Sequence, residues 1–408
     1  MIVSATVRGF KSLVDLRIHF EKFTCLIGSN GSGKSSILQA IDFASHMMSG
    51  DTDAWLKARG WESADLHSKL STLNNIVIFI HFRVGNSRIL RWHAVFNRKT
   101  KSCTREAVVI VAPGVPETEY KPLFRVDRGQ YTMYGDGTTS KDSKRIDFVY
   151  DGSLLAHLKE ELLTDDLIEL RNSIRNIRSL ELLSPNLMRA RSRDKVSDIG
   201  AGGEKLSAYL FSIKGVEKDR LLSLLQSFYP SIVDFKVRQQ KAGWKRLYLI
   251  EKFGEKLIET EARHINDGLL RILAILAQSG SERSVLLFDE IENGINPEIT
   301  ERLMEELQKC NQQIVVTTHS PMVLNYLEDD VARGAVQYVY RSGKRGTKSR
   351  RFFSIPRVDK KLNIMGPGEA FVDTNFSQLT TECVVLDDAR EDEMLAKAQA
   401  KAASENYK

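Results

Sequence analysis

Cysteine is scarce in this chain of 408 residues: there are four, at positions 25, 103, 310 and 383. None forms a C-x-x-C pair, so no zinc hook is expected. Four are too few for a disulfide scaffold, and a reducing, cytoplasmic setting is expected. Long apolar runs are also missing. None approaches the roughly 20 residues that span a bilayer, and the N-terminus reads as a strand rather than a signal, so no membrane partner is expected. No heptad repeat runs far enough for a coiled-coil arm. The formal charge excess is only +6. Any contact with DNA or RNA would therefore come from local basic clusters: "RNSIRNIR", "RARSRDK", "RQQKAGWKR" and "RSGKRGTKSRR". The 42% hydrophobic content is enough for one large domain or two ordinary ones.

What is present begins with "CLIGSNGSGKSSIL", residues 25–38. An apolar run leads into G-x-x-x-x-G-K-S and then a helical pattern, the order strand, loop, helix. Gly28, Ser29, Asn30, Gly31, Ser32, Gly33, Lys34, Ser35 and Ser36 thus form a candidate phosphate cradle. Its backbone N–H groups can converge on phosphate, Lys34 can reach the β- and γ-oxygens of ATP, and the Ser35 hydroxyl can ligate Mg²⁺.

A second stretch, "SVLLFDEIENGINPE", has the continuous apolar run of a strand buried on both faces. It ends in Asp289, placed to hold Mg²⁺, and Glu290, placed to orient or deprotonate the attacking water. A third buried run, "QQIVVTTHSPMVL", ends near His319, a candidate γ-phosphate sensor. Open parallel sheets bind ligands at the carboxyl ends of their strands, so all three termini can meet one nucleotide.

The order of these motifs, with "HINDGLLRILAILA" before the second and "GFKSL" ahead of the first, resembles the ABC-type ATPases of the RecF, SMC and OLD group. That resemblance implies an α/β fold: an ABC-type P-loop ATPase head with a mixed β-sheet core and inserted β-rich and helical lobes. It implies that Asn266, Asp267 and Gly268 form a signature motif facing the nucleotide of an opposite subunit, with Asn266 where the family commonly has Ser. The physics of a small polar helix cap agrees. The loop 293–297 would be the dimer contact after Walker B, and no counterpart of the family's Q-loop glutamine is identified. The implied assembly is a homodimer, or a higher even-numbered oligomer, closed around ATP. Its implied context is control of a separate effector, such as the nuclease of anti-phage systems like Septu. The alternatives are a RecF-like DNA-repair factor and an ATP-bound scaffold with little turnover.

The expected organisation is an N-terminal part of the head over 1–74 and a β-rich insertion over 75–150. A helical lobe over 151–235, the C-terminal part of the head over 236–340, and a basic hairpin with a charged tail over 341–408 follow. The stretch 382–395, "ECVVLDDAREDEML", resembles the opening of the Toprim nuclease domain that OLD proteins carry, but has Asp388 and Ala389 where that opening has Glu and Gly. With 89 residues after His319, no intrinsic nuclease built on Asp387, Asp388 and Asp392 is expected.

Overall fold

The computed structural model describes residues 1–85, 88–112, 114–135, 143–193 and 198–389. Two large sheets dominate. The first is antiparallel, in the order β2 (Leu13–His19), β1 (Ile2–Phe10), β4 (Ile76–Val84), β5 (Arg88–Asn97), β6 (Ser102–Val111), β7 (Lys121–Asp127), β8 (Gln130–Met133) and β9 (Lys144–Arg145). Strict alternation creates its two faces. In β4, Ile76, Ile78, Ile80, Phe82 and Val84 are buried while Phe79, His81 and Arg83 face outward. Each such apolar side chain stabilises by roughly 1.5–3 kcal/mol when fully buried.

The second sheet runs β10 (Ile177–Ser179), β14 (Val285–Phe288), β15 (Gln313–Thr317), β3 (Phe23–Ile27), β16 (Val336–Arg341) and β17 (Thr347–Arg351). Its first five strands are parallel, and β17 returns antiparallel to β16. Continuous apolar runs here serve two cores at once. Leu26, Val285, Leu287 and Val315 join the core under the antiparallel sheet. Cys25, Ile27, Leu286, Phe288, Ile314 and Val316 join the core built around the helix Asp267–Ser279. A third, three-stranded sheet, β11 (Ile232–Gln239), β12 (Lys245–Phe253) and β13 (Lys256–Glu261), borders this second core.

Several sequence expectations change in detail. The β-rich stretch 75–150 is not a separate unit, because β4 pairs with β1 and continues the N-terminal sheet. The interval 151–235 holds helices, as its spacing suggests, but also β10, the edge strand of the central sheet. Residues 136–142 of the Gly/Thr/Ser/Lys-rich stretch and residues 390–408, Asp392 among them, lie outside the described residues. Residues 376–389 are helical, so Asp387 and Asp388 stand on a helix rather than at a strand end. Among the described residues, no helix is long and apolar enough to cross a membrane.

Three of the four basic clusters are largely occupied within the fold. Arg171 donates to the Leu158 carbonyl at 2.9 Å and Arg175 to the Met48 carbonyl at 2.8 Å. Arg189 donates to the Ile265 carbonyl, and Arg191 sits 4.8 Å over the Trp244 ring. Arg238 and Arg246 pair with Glu259 and Glu261 across the three-stranded sheet.

Candidate functional site

The glycine-rich loop leaves the buried strand β3 and enters the helix Lys34–Ser49. Glycine is required at both ends of the loop. Gly28 and Gly33 have φ of +148° and +110°, and a Cβ there would lie 2.1 Å from the Val339 carbonyl oxygen and 2.2 Å from Thr347 Oγ1. Ser29, Asn30 and Gly31 are exposed at the rim, and Ser35 and Ser36 are half-buried in the first helical turn. Ser32 Oγ is buried without a hydrogen-bond partner among the described residues. Lys34 is only 6% exposed, and its ammonium donates to the Gly28 and Ser29 carbonyls at 2.9 and 3.3 Å. Burial lowers its pKa, opposed by the carboxylates Asp289, Glu290 and Glu292.

Those carboxylates follow β14. Register fixes their place: β14 pairs with β15, and β15 with β3, all parallel, so the three strands end at one edge. Thr317 Oγ1 donates to Asp289 Oδ1 at 2.5 Å and accepts from the Glu290 N–H at 2.8 Å. Glu290 has φ of +48°, a conformation that costs a side-chain-bearing residue of order 1 kcal/mol or more. The Arg271 guanidinium bridges the carbonyls of Asp289 and Glu290 at 3.2 and 3.1 Å, holding that turn. Burial lowers the Arg271 pKa against the pull of Glu292, Glu290 and Asp289, and its Nε has no partner among the described residues. The His319 side chain is exposed, while its N–H donates to Glu292 Oε1 at 2.9 Å. Glu292 Oε2 is buried and has no partner among the described residues.

Asn266 begins the helix Asp267–Ser279, its side-chain oxygen accepting from the Leu269 N–H at 2.8 Å. Asp267 pairs with Arg189, and Gly268 lies against the Gly294 carbonyl, which brings the loop 293–296 onto the helix start. No hydrogen bond or ion pair among the described residues joins 266–268 to the glycine-rich loop. Arg271, on the same helix, reaches the Asp289 and Glu290 carbonyls instead.

Sequence reasoning missed three parts of this neighbourhood. Arg271 and Thr317 sit inside the expected motifs but gave no local sign of their partners. Glu181, just past β10, accepts from Gln39 and Arg59, and Gln39 accepts from Lys11 at 2.8 Å. Lys11 also stands 3.3 Å over the Trp61 ring, and burial lowers its pKa to about 8. Gln39 lies one turn beyond Ser35, so this network borders the candidate Mg²⁺ ligand. Finally, "RSGKRGTKSRR", read in the sequence as a basic hairpin, folds its Thr347 onto the loop. That residue is fully buried and donates to the Ser32 carbonyl at 2.8 Å.

The set fits a nucleotide. A cradle that any Cβ would fill, an orphan buried hydroxyl and a buried ammonium held only by carbonyls are the donors that phosphate oxygens require. No cluster of three His, Cys, Asp or Glu side chains able to hold a metal occurs among the described residues.

A family model described as "AAA domain, putative AbiEii toxin, Type IV TA system" matches residues 118–325, and one described as "AAA ATPase domain" matches residues 1–183. Among solved structures, the chain is similar to an SMC head bound to the C-winged helix domain of ScpA. The identity is 14%, with a TM-score of 0.51 over 86% of this chain and 96% of that one. It also matches the SMC head domain from Thermotoga maritima, at 12% identity and a TM-score of 0.45 over 86% and 98% of the two chains. An SMC head with an extended coiled coil, bound to the C-terminal domain of ScpA and derived from Pyrococcus furiosus, follows at 15% and 0.48 over 86% and 95%. The first of these likenesses, under 25% identity, is one of fold: an ABC-type ATPase head. No curated protein matches the chain.

Proposed function

This chain belongs to the AAA-domain family of ATPases, and on that premise we propose that it binds and hydrolyses ATP at the β3, β14 and β15 strand ends. The observation that carries the reading is the buried Lys34 ammonium, bonded only to loop carbonyls and facing the Asp289–Glu292 acids. In this reading the loop N–H groups and Lys34 hold the phosphates. Ser35 and Asp289 hold Mg²⁺, which supplies charge neutralisation on the phosphates when bound. Glu290, fixed by Thr317 and Arg271, orients and deprotonates water, and His319 contacts the γ-phosphate. Asn266, Asp267, Gly268 and the Gly294 loop face the nucleotide of a second subunit, so that ATP closes a homodimer.

Closure in turn controls a separate effector, with a nuclease in anti-phage defence as the leading case. Supporting this are the motif resemblance to such ATPases and the fold likeness to a head crystallised with a domain of another protein. Asp387 and Asp388 take no nuclease role in this reading, since Arg350, Tyr340 and Arg345 already bind them. Glu290→Gln should keep ATP affinity, slow turnover at least about a hundredfold and accumulate a closed dimer in gel filtration. Normal turnover by that variant would assign the water to another residue and remove Glu290 from the site.

A further inference from the structure

The outward face of the antiparallel sheet is not a plain solvated surface. Together with β17 it encloses a groove of about 710 Å³, and a second depression of about 410 Å³ adjoins it, sharing Arg17, His19, Ser349 and Asp387. Six lysine or arginine side chains line the two depressions, against three carboxylates. Two of the cations are uncommitted. Among the described residues no carboxylate pairs with Arg17 or Lys348, and Lys348 finds only the Asp15 carbonyl, at 3.1 Å. Flat groups alternate with these charges. Phe79 and His93 stack at 4.3 Å with rings 3° apart, Arg8 and Arg91 lie 6.0 and 5.8 Å from the Phe79 ring, and Arg91 lies 5.1 Å from Tyr120. Arg91 pairs with Glu117, yet its Nε is buried without an acceptor among the described residues. The excess of positive charge is felt locally: His81 is pushed to about 4, first by burial and then by Arg91 and Arg17.

We propose that this groove binds a single-stranded segment of nucleic acid, its phosphates on Arg17 and Lys348 and its bases against the Phe79, Arg91 and Tyr120 surface. Uncommitted cations beside ring and guanidinium planes suit a chain of alternating phosphates and bases. A duplex turns its bases inward and cannot press them onto the Phe79, Arg91 and Tyr120 surface, whereas a single strand can. An acidic peptide would use the cations but leave the planar surface unused. The site is separate from the ATP site and does not rest on the proposed hydrolysis. Only one of the four basic clusters noted in the sequence, the β16–β17 hairpin, contributes to it.

The test is fluorescence anisotropy without nucleotide at low salt. The probes are a labelled oligothymidylate and an oligouridylate of about 12 nucleotides, competed by duplex, mononucleotide and polyglutamate. The single strand should bind. Arg17→Ala with Lys348→Ala should weaken it at least about tenfold and reduce the salt slope by about 1.4, the share of two phosphate contacts on a single strand. A far-UV spectrum and melt matching wild type would show that this double variant folds. Tyr120→Ala should lower affinity with the salt slope unchanged. No binding at low salt, an unaltered affinity in the double variant, or equal competition by duplex, mononucleotide or polyglutamate would each overturn the proposal.

Discussion

Lys34 sits in the fold at a cost in stability. Its ammonium is buried with two carbonyl partners, and burial depresses its pKa below the ordinary 10.5. Between the depressed value and 10.5 the unfolded chain binds more protons than the native one. The native state is therefore penalised at neutral pH, and the penalty fades as pH rises toward 10.5. Lys34→Met should lower ATP affinity at least about tenfold by calorimetry while leaving the apo melting temperature unchanged or higher. A clear fall in that temperature would show that the amine supports the fold. At this scale the sequence was legible where chemistry is local. The G-x-x-x-x-G-K-S spacing and the acids after β14 needed only neighbours in the chain. Thr317 and Arg271, which hold Asp289 and Glu290, were not legible, because each bond joins different elements and leaves no mark on local spacing.

Among elements, β4 and β5 carry opposite chemistry on their two sides, and the outward side is acid-sensitive. His81 and His93 are both pushed to about 4, by burial first and then by Arg91 among other arginines. With folded values below the unfolded 6.5, their contribution is fully present above about pH 6.5 and is lost as pH falls toward 4. His93→Phe keeps a ring on Phe79 without a titrating group, so its melting temperature should fall less than that of wild type between pH 7 and pH 4.5. An equal fall would place the sensitivity elsewhere. The alternation in β4 made that strand readable, since five buried positions recur with period two. β10 escaped because three residues carry no period. The basic clusters could not be sorted in advance, because composition cannot tell a solvated arginine from one such as Arg171, which is 2% exposed.

Across the whole molecule, the β16–β17 hairpin connects what the chain keeps apart. Thr347 bonds the glycine-rich loop, Ser349 donates to the Arg17 carbonyl on β2, and Tyr340 and Arg350 grip Asp387 on the 376–389 helix. Thr347→Val keeps the volume but strands the Ser32 carbonyl, which costs about 1–3 kcal/mol. ATP affinity should drop severalfold by calorimetry with Lys34 intact; an unchanged affinity would mean that the loop holds its shape without the hairpin.

The position of β3 also governs how the protein is made. Phe23 pairs with Ile314 and Cys25 with Val336, so the strand that launches the glycine-rich loop has no sheet neighbours until β15 and β16 have been made. The antiparallel strands from β4 to β8 pair with their successors in sequence and can close early, whereas the parallel sheet must wait for its distant partners. Products stalled before β15 would present "FTCLI" without its sheet partners to chaperones and proteases.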